Sequence, residues 1–373
     1  MPVPCPDALV FLLKELPAEV QSAAEKVCSG ERITFEETIL LWEKSSLSLL
    51  VVLAGYVQRK RHDGKVFYNR NIHIEPTNLC VRHCRFCSYY RKEGDRDAWN
   101  FSAEEILNQI EHHPGITEVH ITGGLHPSKD LAWYVSLFHQ IRSRFPSLHI
   151  KALTAEEIDY LARLDHSSPE KVLTELKHAG LQSIPGGGAE IFHPEVRKRI
   201  CPEKITAEQW LEVHATAHRL GITSNSTMLF GHIEKPEHRM HHMLMLRDLQ
   251  DKTHGFFAFI PLKYKSAHNK MSDIGETSFA DVVKTFAMAR IFLDNIPHLK
   301  AYWPMLGKEQ AALMLHFGAD DFDGTIHDST RIYTMAGARE QHPSLTPGEI
   351  ELLVEREGFI AVERNSRYEP VGF

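Results

Sequence analysis

From Asn71 onward, short β-like runs alternate with amphipathic helical runs at intervals of roughly 30 to 45 residues. The pattern predicts eight strands, at residues 72–76, 118–124, 149–154, 182–187, 223–230, 256–262, 299–305 and 320–325. Strands that alternate with helices in this way favour an α/β fold, a parallel (βα)8 barrel of the TIM type. A doubly wound open sheet is the alternative, because the pattern alone does not show whether a sheet closes.

Two extensions flank the barrel, which we expect over residues 66–330. Residues 1–65 have helical apolar spacing, and Thr34 with Glu37 has the signature of a helix-capping box. Residues 331–373 contain a helix capped by Thr346 and a short terminal strand. The sequence therefore predicts an N-terminal helical extension, a barrel, and a C-terminal extension that packs on the barrel.

Composition and charge exclude several classes of function. Hydrophobic residues make up 43% and charged residues 24% of the chain, which is typical of a soluble globular protein. The formal net charge is −7 and there is no lysine- or arginine-rich block, so we expect neither a nucleic-acid partner nor a membrane partner. The most apolar stretch, residues 47–57, is too short to span a bilayer, and the N-terminus lacks a signal-peptide pattern. We expect a cytoplasmic protein.

Three of the six cysteines, Cys80, Cys84 and Cys87, directly follow the first predicted barrel strand in a C-x3-C-x2-C spacing. The chemistry of such barrels lies at the C-terminal ends of the strands, where this loop is expected. A zinc site with His83 as fourth ligand is one interpretation, but no second C-x2-C pair occurs in the sequence. A 4Fe-4S cluster held by three thiolates, with one iron open to an external ligand, is the favoured interpretation.

Two glycine-rich segments follow predicted strands and suggest close approach of the backbone to a ligand. Gly123 and Gly124 end the second strand, and "PGGGAEIF" after the fourth contains Gly187 and Glu190. A plain tight turn is the alternative for the first pair. Further along, the cations in "VRKRICPEK" can neutralise a ligand carboxylate or lie in solvent as helix charges.

The cysteine spacing, with Phe86 just before the last cysteine, resembles the radical S-adenosylmethionine (SAM) superfamily. In that superfamily SAM chelates the open iron, and one electron cleaves it to methionine and a 5′-deoxyadenosyl radical. The resemblance implies that the three cysteines hold the cluster. It implies SAM contacts from Phe86, Gly123, Gly124, Gly187, Glu190, Arg197 and Lys204. Leu125 departs from the pattern, because glutamate is usual at that position.

Longer stretches, including "EPTNLCVRHCRFCSYYR", "ITGGLHP" and "FAFIPL", resemble one branch of the superfamily. This branch contains aminofutalosine synthase, cyclic dehypoxanthine futalosine synthase and the deazaflavin-cofactor synthase subunits. "KAYWPMLG" and "LHFGADDFDGTI" look most like the first of these. The resemblance implies that the adenosyl radical adds to 3-[(1-carboxyvinyl)oxy]benzoate, with rearrangement and decarboxylation. SAM is then a co-substrate, and 6-amino-6-deoxyfutalosine is the product, in menaquinone biosynthesis.

This interpretation carries further expectations about partners and residues. The substrate is a small dicarboxylate, the reductant is an external one-electron donor of the flavodoxin or ferredoxin type, and a homodimer is allowed. His126, Glu156 and Asn225 at strand ends are the predicted catalytic contacts, and His126 can donate to a substrate carboxylate. The cyclase and the deazaflavin-type enzymes are alternatives. A non-catalytic iron–sulfur carrier is a remote one, for which Cys201 is the available fourth ligand.

Overall fold

The computed structural model describes residues 7–328, 331–338 and 343–371. The described strands are β1 (Lys65–Tyr68), β2 (Asn71–Ile74), β3 (Glu118–Ile121), β4 (His149–Ala152), β5 (Leu181–Ile184), β6 (Thr223–Phe230), β7 (Phe256–Lys263), β8 (His298–Leu299), β9 (Thr325–Asp328) and β10 (Ile360–Glu363). The described helices are α1 (Asp7–Lys14), α2 (Ala18–Ser29), α3 (Phe35–Lys44), α4 (Leu47–His62), α5 (Ala103–Glu111), α6 (Leu131–Arg144), α7 (Ala155–Leu164), α8 (Pro169–Ala179), α9 (Pro194–Ile200), α10 (Ala207–Arg219), α11 (Pro236–Thr253), α12 (Phe279–Phe292), α13 (Trp303–Leu306), α14 (Lys308–Met314), α15 (Ile332–Met335) and α16 (Pro347–Arg356).

Strands β2 to β9 form one parallel sheet in the spatial order β8-β7-β6-β5-β4-β3-β2-β9. Residues 320–322, which precede β9, join the two edges of this sheet. Asp321 forms parallel backbone bridges with Lys300, just beyond β8, and with Phe67 in β1. The amide of Ala301 donates to the Asp321 carbonyl at 2.8 Å. The sheet therefore curves into a barrel, and the predicted TIM-type α/β fold is confirmed.

Two barrel strands differ from their predicted bounds. The strand expected at 299–305 is only His298–Leu299, because α13 begins at Trp303 with a proline in its first turn. The strand expected at 320–325 becomes regular only at Thr325. Asp323 has a φ of 54°, and this left-handed conformation interrupts the extended chain before β9.

A second, two-stranded sheet was not predicted in full. The C-terminal strand β10 was expected, but its parallel partner β1 was not. Residues 364–368, which follow β10, cover the N-terminal ends of the barrel strands: the buried Arg364 donates to Asp321 at 2.6 Å. The Tyr368 ring stacks on His298, the first residue of β8, with ring centroids 4.0 Å apart. The cysteine loop lies at the opposite end of the barrel, which is therefore the open one.

The N-terminal helices pack on the outside of the barrel. The predicted capping box is formed, since Thr34 and Glu37 each accept the backbone N–H of the other. Helix α4 lies against α12, and its apolar residues Leu50 and Leu53 are completely buried. None of the described helices is both long enough and apolar enough to cross a membrane.

Gly324 allows the segment before β9 to approach β1 and β2. A Cβ atom at this position would overlap the backbone carbonyl of Asn69. We expect Gly324→Ala to lower the free energy of unfolding by more than about 3 kcal/mol, because backbone must move. Gly348→Ala, at an exposed site in α16 with no atom of the described residues within 4 Å of the added carbon, should change it by less than about 1 kcal/mol.

Urea unfolding followed by circular dichroism measures both variants. Equal stabilities of the two variants would contradict the close approach at Gly324.

Candidate active site

A cavity of about 320 Å³ lies inside the barrel beneath the cysteine loop. All three cysteines of the C-x3-C-x2-C motif line it, together with inward-facing residues of the strands and of the loops that follow them. Eight of the other predicted site residues also line the cavity: Phe86, Gly123, Gly124, Glu156, Gly187, Glu190, Lys204 and Asn225. Residues far apart in the chain are thus brought to one chamber.

The cysteine loop is tied to the barrel mouth by backbone hydrogen bonds. The amide of Val81 donates to the Leu125 carbonyl at 3.0 Å, and the amide of Arg85 donates to the Ile200 carbonyl at 2.8 Å. Tyr89 is buried and its hydroxyl donates to the Thr77 carbonyl at 2.8 Å. The first two bonds anchor the loop to the segment after β3 and to the end of α9, and so they fix the thiols relative to the barrel.

Burial disfavours the ionised form of the three thiols. Burial raises the pKa of Cys80, Cys84 and Cys87, although Lys204 acts in the opposite direction on each. Bound iron would remove this cost, because coordination stabilises the thiolate. The donor set therefore fits a group that brings positive charge to this end of the cavity.

A fourth thiol does not join them among the described cavity residues. Cys201 is buried but does not line the cavity, and burial raises the pKa of its thiol to about 11. His83 also lies off the cavity wall, with its Nδ1 3.5 Å from the Glu203 carboxylate. Three thiols without a fourth cysteine or His83 fit a 4Fe-4S cluster with one open iron better than a closed zinc site.

The glycines after β3 and β5 are required by chain packing. A Cβ on Gly124 would overlap the Leu79 carbonyl, and one on Gly123 would lie 2.8 Å from the Thr77 carbonyl oxygen. A Cβ on Gly187 would lie 2.8 Å from the Cγ2 atom of Thr154. The glycine pair after β3 thus lets that strand end press against the cysteine loop, and this contact leaves backbone facing the cavity.

Two adjacent carboxylates at the start of α7 have different environments. Glu156 accepts from Arg82 Nε at 3.0 Å and from the Ile205 amide at 2.9 Å. Glu157 accepts from the amides of Thr154 and Gly123, at 2.7 and 3.1 Å. Burial raises the pKa of Glu157 to about 7, although these hydrogen bonds lower it. Glu157 therefore holds a proton under conditions in which an exposed glutamate has lost it.

Lys204 and Glu190 form an ion pair on the cavity wall. Lys204 Nζ lies 2.5 Å from Glu190 Oε1 and 5.5 Å from the centre of the Phe86 ring. Burial opposes the charge of Lys204, but Glu190 and Cys84 outweigh this effect and raise its pKa well above the usual value. The ammonium group therefore remains charged beside the cysteines, where an anionic group of a ligand can reach it.

The structure does not bring two predicted site residues to the cavity. The Arg197 guanidinium is buried behind the glycine-rich loop and donates to the carbonyls of Gly188, Ala189, Ile191 and Ile205, so it supports that loop. His126 is half-exposed, and its Nδ1 lies 2.6 Å from the Ser128 hydroxyl, outside the cavity wall. The sequence pattern placed Arg197 and His126 near strand ends, but only the fold shows which way each side chain points.

The polar groups that face the cavity from within the strands were not predicted from the sequence. His73, His120 and Lys151 occupy neighbouring register positions on β2, β3 and β4, and all three line the cavity. Lys300 Nζ, just beyond β8, pairs with Asp323 at 2.8 Å. The polar residues alternate with apolar ones in "NIHI", "EVHI" and "HIKA", and that alternation was the signal that could have found the first three.

Comparison with known proteins agrees with this geometry. Residues 74–246 match the family model of the Radical SAM superfamily, and residues 253–372 match that of the CofH/MqnC C-terminal region. The chain is 40% identical to an aminodeoxyfutalosine synthase of Thermus thermophilus, with 93% of this chain and 95% of the relative covered.

Two further relatives have other names. The chain is 35% identical to a cyclic dehypoxanthine futalosine synthase of Streptomyces coelicolor, over 94% of this chain and 89% of that one. It is 39% identical to a 5-amino-6-(D-ribitylamino)uracil–L-tyrosine 4-hydroxyphenyl transferase of Methanopyrus kandleri, over 81% and 83%. The chain therefore belongs to the radical SAM superfamily, and within it is an enzyme of the futalosine/MqnC family.

The raised pKa of Glu157 predicts a pH-dependent stability. Between pH 4.5 and about 7 the folded carboxyl keeps a proton that the unfolded chain has lost, so stability falls as the pH rises through this range. Glu157→Gln removes this titration. We expect the wild-type protein to lose roughly 2 kcal/mol relative to the variant between these pH values, by urea unfolding. A constant difference across the range would contradict a buried, protonated Glu157.

Proposed function

We propose that this enzyme is an aminofutalosine synthase. It transfers the 5′-deoxyadenosyl group of SAM to the double bond of 3-[(1-carboxyvinyl)oxy]benzoate, with rearrangement and decarboxylation, and forms 6-amino-6-deoxyfutalosine. The observation that carries the proposal is the set of three thiols, without a fourth thiol among the described cavity residues, at the mouth of a chamber lined by paired charged groups. The likeness to a synthase over nearly the whole chain supports the same reaction.

The chain's own residues supply binding and exclusion of water. We propose Cys80, Cys84 and Cys87 as cluster ligands; when bound, the cluster supplies the electron that cleaves SAM. Lys204 lies on the cavity wall, where it can pair with the methionine carboxylate. The glycines after β3 and β5 line the cavity, where their backbone can approach the rest of SAM closely.

The substrate space lies deeper, among the inward-facing side chains of the barrel. Asn225 on β6 and Glu156 after β4 both line the cavity and remain candidates for substrate or ribose contacts. A dicarboxylate needs donors in a dry chamber, which the polar residues of the strands provide. We further propose that an external one-electron donor reduces the enzyme and that the reaction takes place in the cytoplasm as part of menaquinone biosynthesis.

The extensions have proposed roles of their own. We assign the chemistry to the barrel at 66–330 and treat 1–65 and 331–373 as extensions that pack on it. Arg364 from the second extension reaches the barrel interior and pairs with Asp321, which supports this assignment.

Product analysis tests the reaction. The enzyme is reconstituted anaerobically with iron and sulfide and supplied with dithionite, SAM and the enolpyruvyl-oxybenzoate, and products are identified by mass. We expect methionine and 6-amino-6-deoxyfutalosine in equal amounts. Methionine without an adenosyl adduct would exclude the synthase. Free 5′-deoxyadenosine formed when dehypoxanthine futalosine is supplied instead would favour the cyclase, the second candidate.

The cluster assignment has a separate test with a matched cysteine. Cys84→Ala should lose the iron–sulfur absorbance after reconstitution and reduce SAM cleavage more than a hundredfold, because only two ligands remain. Cys201→Ala removes another buried thiol that lies off the cavity and should keep the absorbance. Loss of the cluster in both variants would favour a closed four-cysteine carrier, and retention of the cluster in Cys84→Ala would contradict the assignment of Cys84 as a ligand.

A further inference from the structure

His120 presents an unused polar atom inside the cavity. It is the third residue of β3 and lines the cavity wall, and its Nδ1 lies 3.1 Å from Nε2 of His73 on the neighbouring strand. Its other nitrogen, Nε2, is shielded from solvent and has no hydrogen-bond partner among the described residues. A buried nitrogen of this kind is costly to leave unpaired, so a ligand that pairs with it gains that free energy.

The hydrogen bond to His73 limits what this atom can do. A neutral imidazole has one donor and one acceptor nitrogen. Burial lowers the pKa of His120 well below the usual value, and the neighbouring His73 and Lys151 act in the same direction, so the ring is neutral. The Tyr302 hydroxyl lies 3.1 Å from Nδ1 of His73. When this hydroxyl donates, Nε2 of His73 carries the proton and donates to Nδ1 of His120. The proton of His120 is then on Nε2, which donates into the cavity.

Lys151 places a cation in the same layer of the barrel. It is the register partner of His120 on β4 and also lines the cavity. Its Nζ donates to Glu118 Oε1 at 2.8 Å, and Glu118 lies one layer nearer the closed end of the barrel, as the register partner of His149. Only one of the three N–H groups of Lys151 is needed for this bond. The other N–H groups of Lys151 can therefore donate to a ligand on the side of the cysteine loop.

We propose that His120 and Lys151 form the subsite that binds a carboxylate of the substrate. The His120 Nε2–H and the Lys151 ammonium group donate to its oxygens, and His73 orients the His120 ring. This inference rests on the proposed function for the identity of the substrate. It assigns to His120 the role that sequence analysis gave to His126, which lies outside the cavity.

Two replacements of His120 separate its two nitrogens. The amide nitrogen of glutamine reaches the position of Nε2, whereas that of asparagine reaches the position of Nδ1. His120→Gln therefore keeps a donor toward the cavity, and His120→Asn keeps only the side that meets His73. His214→Asn is the matched control. His214 is also buried, with Nδ1 bonded to Ser224 and Nε2 without a partner among the described residues, but it does not line the cavity.

Binding is measured by calorimetry on the cluster-loaded enzyme without reductant, so that no turnover occurs. The probes are the enolpyruvyl-oxybenzoate, each of its two monoamides, and isophthalate, a plain aromatic dicarboxylate. We expect His120→Asn to weaken substrate binding about tenfold, His120→Gln by less than about threefold, and His214→Asn not at all. The affinity for SAM should be unchanged in all three. Each monoamide has one of the two substrate carboxylates replaced by an amide. His120→Asn should not change the affinity for the monoamide that lacks the carboxylate bound by His120, and this result identifies that carboxylate.

A second variant protects the test against misfolding. Lys151→Met combined with Glu118→Gln removes both charges of the buried pair, so that neither remains alone. We expect it to weaken binding of the substrate and of isophthalate at least tenfold, with an unchanged iron content. Equal affinities of the wild type, His120→Asn and the double variant for both dicarboxylates would overturn the subsite, as would failure of the wild type to bind either one.

The two proposals fail in different ways. If the wild type binds both dicarboxylates through His120 but forms no 6-amino-6-deoxyfutalosine, the subsite stands and the proposed reaction is wrong. If the product forms and neither variant changes affinity, the reaction stands and the subsite is wrong. With reductant present, His120→Asn should also release more 5′-deoxyadenosine per adduct, because a misplaced substrate traps the radical less often.

Discussion

The barrel depends on a buried carboxylate at the point where its edges meet. The backbone of Asp321 bridges to Phe67 on one side and to Lys300 on the other. Its carboxylate is completely buried, and burial raises its pKa, but Arg364 and Lys300 outweigh burial and keep it ionised. An unpaired charge in this position would strongly oppose folding. Arg364, from the segment that follows β10, thus helps to hold the edges of the barrel together.

The same requirement for pairing shapes the active site. Lys300 lies 3.6 Å from Asp321 and pairs with Asp323 at 2.8 Å, so charges continue from the closed end of the barrel toward the cavity. Lys151 pairs with Glu118, and Lys204 pairs with Glu190 in the same way. A chamber that is polar but internally paired can exclude water and still offer N–H donors. That combination suits the binding of an anionic substrate near a reactive radical.

Much of the fold was predictable because its signals are local. The strands from β2 to β7 lie within a few residues of their predicted positions, since apolar runs and helix caps record them. Strand β1 was missed because four residues beside a helix carry no such signal, and its partner β10 lies at the other end of the chain. The strand expected at 299–305 was too long because Pro304 permits a helix start, which a pattern of apolar residues does not reveal.

The site was predictable to a different extent for its different parts. The cysteine motif and the two glycine-rich segments could be recognised in the sequence, because the chain itself limits the distances between neighbouring residues of a loop. The direction of a side chain at a strand end could not be recognised in this way. His126 and Arg197 were therefore assigned to a cavity that they do not line. Nor did the sequence favour Lys204 over Arg197 as the residue that faces the cavity, because both are cations of one short segment.

The sequence by itself determined the three thiols, the glycines that let strands press against their loop, and the order of strands and helices. Only the tertiary structure decided which charges meet and which buried polar atoms of the described residues have no hydrogen-bond partner. His73, His120 and Lys151 come from three separate strands, and their alignment depends on the register of a barrel that closes at Asp321. Spacing along a chain fixes local chemistry, whereas a buried cavity is defined by contacts between residues that the chain keeps far apart.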